Sequence, residues 1–187
     1  LDTVTVSRPS NYQVYHSDKI NLRFNHALFE TADSDLYVSP EGSDDNTGTS
    51  LNNPLKTINL ALLALSADSL HPRTIHIAPG IYSSSTTGEI FPLFGRSYVT
   101  IIGENAENTI LDAEYYNRVF QFKANDKSVL QNLTVKNGYA KYNNYYEGVG
   151  GGIWVYSSGD ILLKNMVQKL FSIFLLIYSG GLLQKNI

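Results

Sequence analysis

Two stretches of the chain share one pattern at a spacing of 33 residues. RVFQFKANDKSVLQNLTVKN, from Arg118 to Asn137, returns as GIWVYSSGDILLKNMV, which ends at Val167. Five pairs of positions agree: Phe120 with Ile153, Val129 with Leu162, Leu130 with Leu163, Asn132 with Asn165, and Leu133 with Met166. A repeat of this size indicates stacked units, because one such unit cannot bury its apolar face alone. The repeat therefore predicts a solenoid.

Composition favours strands and turns within this solenoid and excludes several classes of function. The 187 residues allow one domain, and they include 13 tyrosines and 14 glycines but no cysteine. The absence of cysteine excludes disulfides and thiolate chemistry. A net charge of −3 gives no basis for binding nucleic acid or an anionic membrane. The longest apolar run, 170–178, is far shorter than the roughly 20 residues of a membrane helix, so we expect no membrane span.

Spacings between apolar segments predict a coil of about 20 residues. Ile101 and Phe120 are 19 positions apart, and Ile110 and Leu133 are 23 apart. The repeat of 33 falls to 21 when the 12-residue polar and aromatic insert at 139–150 is removed. Short coils that stack by strand pairing, at about 4.8 Å per coil, are typical of a parallel β-helix. We therefore predict an all-β, parallel β-helix with few coils.

The two repeated asparagines, Asn132 and Asn165, are predicted to stack at a coil corner with each amide bonding the next. Asn132 also begins the glycosylation sequon Asn-Leu-Thr, which matters only in a eukaryotic secretory route. An asparagine held in a ladder would be a poor acceptor for a glycan.

One amphipathic helix is predicted ahead of the repeats, over residues 57–67. Ile58, Leu62 and Leu65 fall at i, i+4 and i+7, and Pro54 precedes the helix start. A single helix in this place would cap the open end of the solenoid, where a bare first coil exposes its core and its strand edge.

Three regions follow from these patterns. Residues 1–34 form an arm or the end of a preceding domain, 35–167 form the β-helix domain, and 168–187 form an apolar tail outside the repeat. The tail lacks strand alternation and turn punctuation. It is either the result of truncation or a frameshift, or a native apolar segment that covers the last coil.

Several segments together resemble a known family. They are LYVSPEGSDDNTGTSLNNPLKTINLAL, TIHIAPGIYS, GEIFPL, VTIIGE and TILDA, between Leu36 and Ala113. They resemble a domain of unknown function that begins many secreted bacterial right-handed β-helix proteins of the pectin lyase-like superfamily. NLTVKNGYA and GGGIWV are similar to later coils of that family. The resemblance implies a right-handed fold, an extracellular or cell-envelope location and a longer parent chain, but it brings no assigned activity.

One class of function compatible with the sequence is a non-catalytic surface module that is carbohydrate-binding, adhesive or structural. The insert offers flat rings and amides at Tyr142, Asn143, Tyr145 and Tyr146. Sugar faces stack on aromatic rings, amides bond sugar hydroxyls, and loops on rigid scaffolds often bind ligands. Polysaccharide is the partner that this hypothesis requires. In the alternative interpretation these tyrosines pack on the flank of the solenoid with their hydroxyls in water.

The other class is a polysaccharide lyase or glycoside hydrolase of the pectin lyase-like type. The candidate catalytic residues are Asp112, Arg118 and Asp126, with Glu114 nearby. A lyase needs a base near the acidic sugar's α-proton and calcium to neutralise the sugar carboxylate, whereas hydrolysis needs paired carboxylates. We expect calcium only in the lyase case and no other cofactor. No catalytic signature surrounds these residues, and a surface salt bridge or turn explains them equally well.

Two further groups of polar residues are interpreted as structural. Asp44, Asp45, Asn46 and Gly48 resemble a calcium loop superficially but lack its closing glutamate, so they predict a turn. His76 alternates with Ile75 and Ile77, which predicts that it faces solvent without a partner for acid–base chemistry. We therefore expect no metal site.

Overall fold

The computed structural model describes residues 31–140, 151–156, 159–169 and 183–186. Within these residues the chain forms one helix and thirteen strands. The helix, α1, spans Ile58–Ala64. In chain order the strands are β1 (Leu36–Val38), β2 (Arg73–Ile77), β3 (Gly80–Tyr82), β4 (Leu93–Phe94), β5 (Val99–Gly103), β6 (Thr109–Asp112), β7 (Phe120–Lys123), β8 (Ser128–Gln131), β9 (Thr134–Lys136), β10 (Ile153–Tyr156), β11 (Ile161–Lys164), β12 (Val167–Lys169) and β13 (Leu183–Asn186).

These strands form three sheets in which the described pairs are all parallel. The six-stranded sheet has the order β1-β2-β5-β8-β11-β13, the four-stranded sheet β12-β9-β6-β3, and the three-stranded sheet β10-β7-β4. From β2 to β12 the chain visits the six-stranded, four-stranded and three-stranded sheets in turn, so that each full circuit adds one strand to each sheet. This arrangement is a parallel β-helix and confirms the predicted fold class.

The core lies inside the coils and is built from columns of equivalent apolar residues. In the six-stranded sheet Ile75, Ile101, Leu130 and Leu163 occupy one column in register, and all four are buried. Alternate residues of each strand point outward because side chains of a strand alternate between its two faces. The pairing of Phe120 with Ile153 confirms the 33-residue repeat.

The coils are longer than the spacing of apolar segments predicts. Successive members of that column are 26, 29 and 33 residues apart rather than about 20. The prediction of coil length is wrong because Ile101 and Phe120 belong to different sheets of one coil. Apolar alternation marks the strands, but it does not tell which strand pairs with which.

The predicted asparagine ladder is present at the corner between the six-stranded and four-stranded sheets. Asn165 Nδ2 donates to Asn132 Oδ1 at 2.9 Å, and Asn132 Nδ2 donates to the carbonyl of Gly103 at 3.3 Å. Both asparagines have left-handed backbones, with φ of 56° at Asn132 and 45° at Asn165. Asparagine tolerates this conformation better than most residues do, so the ladder and the tight corner select the same residue type.

Backbone pairing continues beyond the end of the sequence repeat. In β12, Gln168 pairs with Val135 and Lys169 with Lys136, and β13 adds Leu183–Asn186 to the edge of the six-stranded sheet beside β11. A parallel ladder is made by main-chain groups, which every residue except proline supplies in full, so pairing outlasts the apolar pattern. The rest of the predicted tail and residues 1–30 of the predicted arm lie outside the described residues.

Helix α1 covers the first coil, as the sequence predicts, but it is shorter than residues 57–67. Thr57 is its N-cap, with Oγ1 accepting from the Leu60 N–H at 3.3 Å, and Leu65 ends it with an extended backbone. Ile58, Ala61 and Leu62 are buried against the core. Ala32, from the end of the predicted arm, pairs with the end of the helix through its N–H to the Ala64 carbonyl at 2.8 Å.

Charged side chains from later parts of the chain hold both ends of α1. The buried Glu89 carboxylate accepts from the N–H groups of Ile58 at 2.8 Å and Asn59 at 2.9 Å. Arg96 Nη1 donates to the carbonyls of Leu62, at 2.8 Å, and Leu65. A carboxylate at the start and a guanidinium at the end complement the helix dipole and the unpaired terminal groups. The cap is therefore fastened to the coil that follows it.

Asp44 also serves the start of this helix. Its carboxylate accepts from the N–H groups of Lys56 and Thr57, both at 2.9 Å, and from the Thr57 hydroxyl at 2.9 Å. These contacts agree with the turn interpretation of 44–48.

Glu89 should make the stability of the cap depend on pH. Burial raises the pKa of Glu89 to about 7, even though two N–H groups donate to its carboxylate. Between its unfolded pKa, about 4.5, and about 7, Glu89 ionises only in the unfolded chain, which favours unfolding. The free energy of unfolding relative to Glu89→Gln should therefore fall by roughly 3 kcal/mol across this range as pH rises.

Urea denaturation of both proteins from acid to mildly alkaline pH measures that difference, and the glutamine variant serves as the control because it does not titrate. A difference that stays constant with pH would show that the carboxylate keeps an ordinary pKa.

The asparagine ladder should contribute to stability in two separable ways. Asn132→Ala removes both ladder hydrogen bonds and places alanine at positive φ, and we expect a loss of about 2–3 kcal/mol in the free energy of unfolding. Asn132→Gly removes the same bonds but accepts positive φ, and we expect a loss of about 1 kcal/mol. Equal losses in chemical denaturation would show that backbone conformation plays no part.

Candidate functional site

Three exposed tyrosines lie together where the chain passes from the four-stranded to the three-stranded sheet. Tyr115 and Tyr116 follow β6, Tyr139 follows β9 in the next coil, and at least half of each side chain is exposed. The Tyr115 N–H donates to the Asn137 carbonyl and the Tyr139 N–H to the Asn117 carbonyl, both at 2.8 Å. These bonds join the two coils at this point. We name Tyr115, Tyr116 and Tyr139 the aromatic corner.

Polar side chains form hydrogen bonds that fix the backbone of the aromatic corner, while the tyrosine rings remain exposed to solvent. Glu114 and Tyr115 both have left-handed backbones, and the Glu114 N–H donates to Asp112 Oδ1 at 3.0 Å. Asn117 Oδ1 accepts from the Arg118 N–H at 2.9 Å, while Asn117 Nδ2 donates to the Phe91 carbonyl of the preceding coil at 3.2 Å. Such local bonds are typical of turns, and here they hold one conformation.

The insert leaves and rejoins the coil beside this corner. A Cβ on Gly138 would lie 1.9 Å from the Gly151 carbonyl oxygen, and a Cβ on Gly151 would lie 2.6 Å from the Gly138 oxygen. Only residues without a side chain allow the two ends to come this close. The insert residues predicted to bind a ligand, Tyr142, Asn143, Tyr145 and Tyr146, lie outside the described residues.

Asp112 is engaged in structural contacts. Its Oδ2 lies 3.0 Å from Lys136 Nζ, and its Oδ1 accepts from Asn137 Nδ2 at 2.9 Å. Burial alone would raise the pKa of Asp112, but the Glu114 N–H, Lys136 and Asn137 hold it below its usual value. A carboxylate that is stabilised as an anion in this way is a weak base. These contacts favour the salt-bridge interpretation of Asp112.

Arg118 lies on the outer side of the three-stranded sheet, beside the aromatic corner. Its Cζ is 5.6 Å from the centroid of the Trp154 ring, and that ring stacks on Tyr156 at 5.5 Å with an angle of 2°. Desolvation lowers the pKa of Arg118, but a guanidinium remains charged at any physiological pH. The arrangement is a cation–π contact between adjacent coils.

Asp126 lies at a different corner, between β7 and β8. Its N–H donates to Ser97 Oγ at 3.1 Å, and its carbonyl accepts from the Tyr98 N–H at 2.9 Å. The four residues of β7 separate this corner from that of Asp112 by roughly 13 Å of strand. Paired carboxylates in glycoside hydrolysis are about 5–9.5 Å apart. The backbone therefore places Asp126 at a different corner from Asp112, too far away for the two carboxylates to act as a pair.

The prediction that His76 has no polar partner is wrong, because it lies beside Asp35. Its Nε2 lies 3.3 Å from Asp35 Oδ2, and its ring stacks on Tyr37 at 4.9 Å. The Thr74 N–H donates to Asp35 Oδ1 at 2.8 Å. Asp35 and His76 are 41 positions apart, and only the parallel pairing of β1 with β2 brings them together. Both side chains are half-exposed on the outer face of the six-stranded sheet.

Tyr115 and Tyr116 were not among the predicted site residues, although Asp112, Glu114 and Arg118 around them were. The sequence contained a signal for them, since two adjacent tyrosines follow a predicted strand in TILDAEYYNR.

Among the described residues, no three histidine, aspartate or glutamate side chains cluster closely enough to bind a metal ion. The helix in the described part of the chain is much too short to cross a membrane.

Comparison with known proteins identifies a family and one similar structure. A family model described as "Protein of unknown function (DUF1565)" matches residues 40–175, more than two thirds of the chain. No curated protein matches the chain. Among solved structures, pectin methylesterase PemA from Erwinia chrysanthemi is similar, with 18% identity over 71% of this chain and 42% of that chain, and a TM-score of 0.49. The chain thus spans less than half the length of that structure.

If Asp112 is structural, its replacement should affect stability. We expect Asp112→Asn to lower the free energy of unfolding by about 1 kcal/mol at neutral pH, because Lys136 loses its anionic partner. Since the pKa of Asp112 is lowered in the fold, this difference should disappear as acid protonates the carboxylate. Urea denaturation at neutral and acidic pH measures it, with Lys136→Met as the matched variant. Unchanged stability at both pH values would contradict the structural role.

Proposed function

We propose that this chain, which belongs to the family described as "Protein of unknown function (DUF1565)", is a carbohydrate-binding β-helix module that holds polysaccharide at its aromatic corner. The observation that supports the proposal is the cluster of three exposed tyrosines on two adjacent coils. The insert, which carries four more tyrosine and asparagine candidates, begins at the same place.

Exposed aromatic rings on a rigid support suit sugar binding for two reasons. The C–H faces of sugar rings are apolar and stack on tyrosine, while the phenol hydroxyl bonds sugar hydroxyls. A tyrosine has only two side-chain torsions, so little conformational entropy is lost when it contacts a ligand. The hydrogen bonds of Asp112, Asn117 and Asn137 already fix the backbone beneath the rings. Preorganisation of this kind lowers the free-energy cost of binding.

The polar groups near the corner support a binding module over an enzyme. Lys136 neutralises Asp112, the corner of Asp126 is a strand away, and the Arg118 guanidinium lies against Trp154. A lyase or hydrolase would need groups that converge on one sugar bond. Location in the extracellular space or the bacterial cell envelope is part of the proposal and rests on the family resemblance of residues 36–113.

A glycan array, followed by calorimetry with the polysaccharide that binds best, tests this function. We expect Tyr116→Ala and the double variant Tyr145→Ala, Tyr146→Ala each to weaken binding at least tenfold, because each removes ring surface. Leu70→Ala is the control, since Leu70 is 82% exposed and precedes β2, outside the aromatic corner.

Two results would contradict the proposal. One is a wild-type protein that binds no glycan on the array. The other is calcium-dependent release of unsaturated sugars from pectin or other uronates that Arg118→Ala abolishes, which would identify a lyase instead.

A further inference from the structure

Exposed apolar side chains recur at the same corner in three successive coils. Ile90, Tyr116 and Tyr139 are 68%, 80% and 50% exposed. Asn117, the residue after Tyr116, connects the three coils at this corner. Its Nδ2 donates to the carbonyl of Phe91, the residue after Ile90, at 3.2 Å, and its carbonyl accepts from the Tyr139 N–H at 2.8 Å. We name Ile90, Tyr116 and Tyr139 the apolar stripe.

The apolar stripe runs along the axis of the solenoid. Adjacent coils are about 4.8 Å apart, so two steps span roughly 10 Å. The stripe then meets the insert, which begins at Tyr139. A surface of this shape offers one apolar contact per coil to a ligand that lies parallel to the axis.

We infer that the apolar stripe binds an extended, neutral polysaccharide along the solenoid axis, contacting several consecutive sugars of one chain. This inference rests on the proposed carbohydrate-binding function and adds the ligand class and its direction. A single sugar would contact one of the three side chains, whereas a chain of several sugars contacts all of them. Affinity should therefore grow with chain length until the stripe is covered.

The charges around the apolar stripe favour a neutral chain. The Asp112 carboxylate is neutralised by Lys136 at 3.0 Å. Glu114 keeps a partly exposed carboxylate beside Tyr115, where Ser85 Oγ donates to its Oε1. The Arg118 guanidinium lies against Trp154 on the outer side of the three-stranded sheet. A polyuronate along the stripe would therefore approach the Glu114 carboxylate, which like charge disfavours.

Calorimetry with glucose, xylose and their β-1,4-linked oligosaccharides of up to six sugars tests the inference. We expect affinity to rise at least tenfold between the monosaccharide and the longest oligomer of the series that binds. Ile90→Ala and Tyr116→Ala should reduce this dependence on length to less than about threefold, because each shortens the stripe by one contact. Tyr116→Phe keeps the ring and should retain the dependence, and Leu70→Ala should leave it unchanged. All of the replaced side chains are exposed, so thermal unfolding midpoints should match that of the wild type.

The outcomes separate this inference from the proposed function. If glycans bind with an affinity that does not depend on oligomer length, the inference that a polysaccharide lies along the solenoid axis is wrong, but the proposed carbohydrate-binding function stands. Tighter binding of polygalacturonate than of either neutral series would overturn the inference that the ligand is uncharged. Binding of a proline-rich peptide in place of any glycan would overturn both proposals.

Discussion

Each coil of this protein depends on its neighbours for the hydrogen bonds of its backbone. In the parallel sheets every strand between two others exchanges N–H and carbonyl hydrogen bonds with both neighbours, so a shift of one coil would disrupt the pairing in all three sheets. Register is therefore shared along the whole solenoid. The columns of buried residues, such as Ile75, Ile101 and Leu130, follow from that shared register and are not set strand by strand.

Within the described residues β1 is the edge strand of the six-stranded sheet, and the helix that covers this end is held by charged groups. Helix α1 has only seven residues, too short to be stable from its own hydrogen bonds. Glu89 and Arg96, which follow it by one coil, satisfy its terminal N–H and carbonyl groups and tie it to the core. Burial of the Glu89 carboxylate raises its pKa. The same side chain that holds the helix start therefore makes the stability of this region depend on pH.

Successive coils differ from one another mainly at their corners, in both sequence and length. At the corner between the six-stranded and four-stranded sheets, Asn132 and Asn165 repeat because each bonds its neighbour. At the next corner the described parts of neighbouring coils carry different residues, among them exposed tyrosines, and the insert leaves and returns where Gly138 and Gly151 approach each other. Variation in loops on a rigid scaffold is a common basis for binding, and the aromatic corner has this form.

The solenoid, the buried face of its cap helix and the asparagine ladder could all be predicted from the sequence. These features depend on periodicity and residue type along the chain. The 33-residue repeat, in which Phe120 pairs with Ile153, indicates the solenoid and the ladder, and the spacing of Ile58 and Leu62 indicates the helix face. The coil lengths, the hydrogen bond of Glu89 to Ile58 and the contact of His76 with Asp35 became known only from the folded chain. Such contacts join residues 31 and 41 positions apart, and their spacing is set by corners whose lengths vary from coil to coil. The aromatic corner falls between the two cases: its tyrosines were visible in the sequence, but their assembly on adjacent coils needed the stacking of one coil on the next.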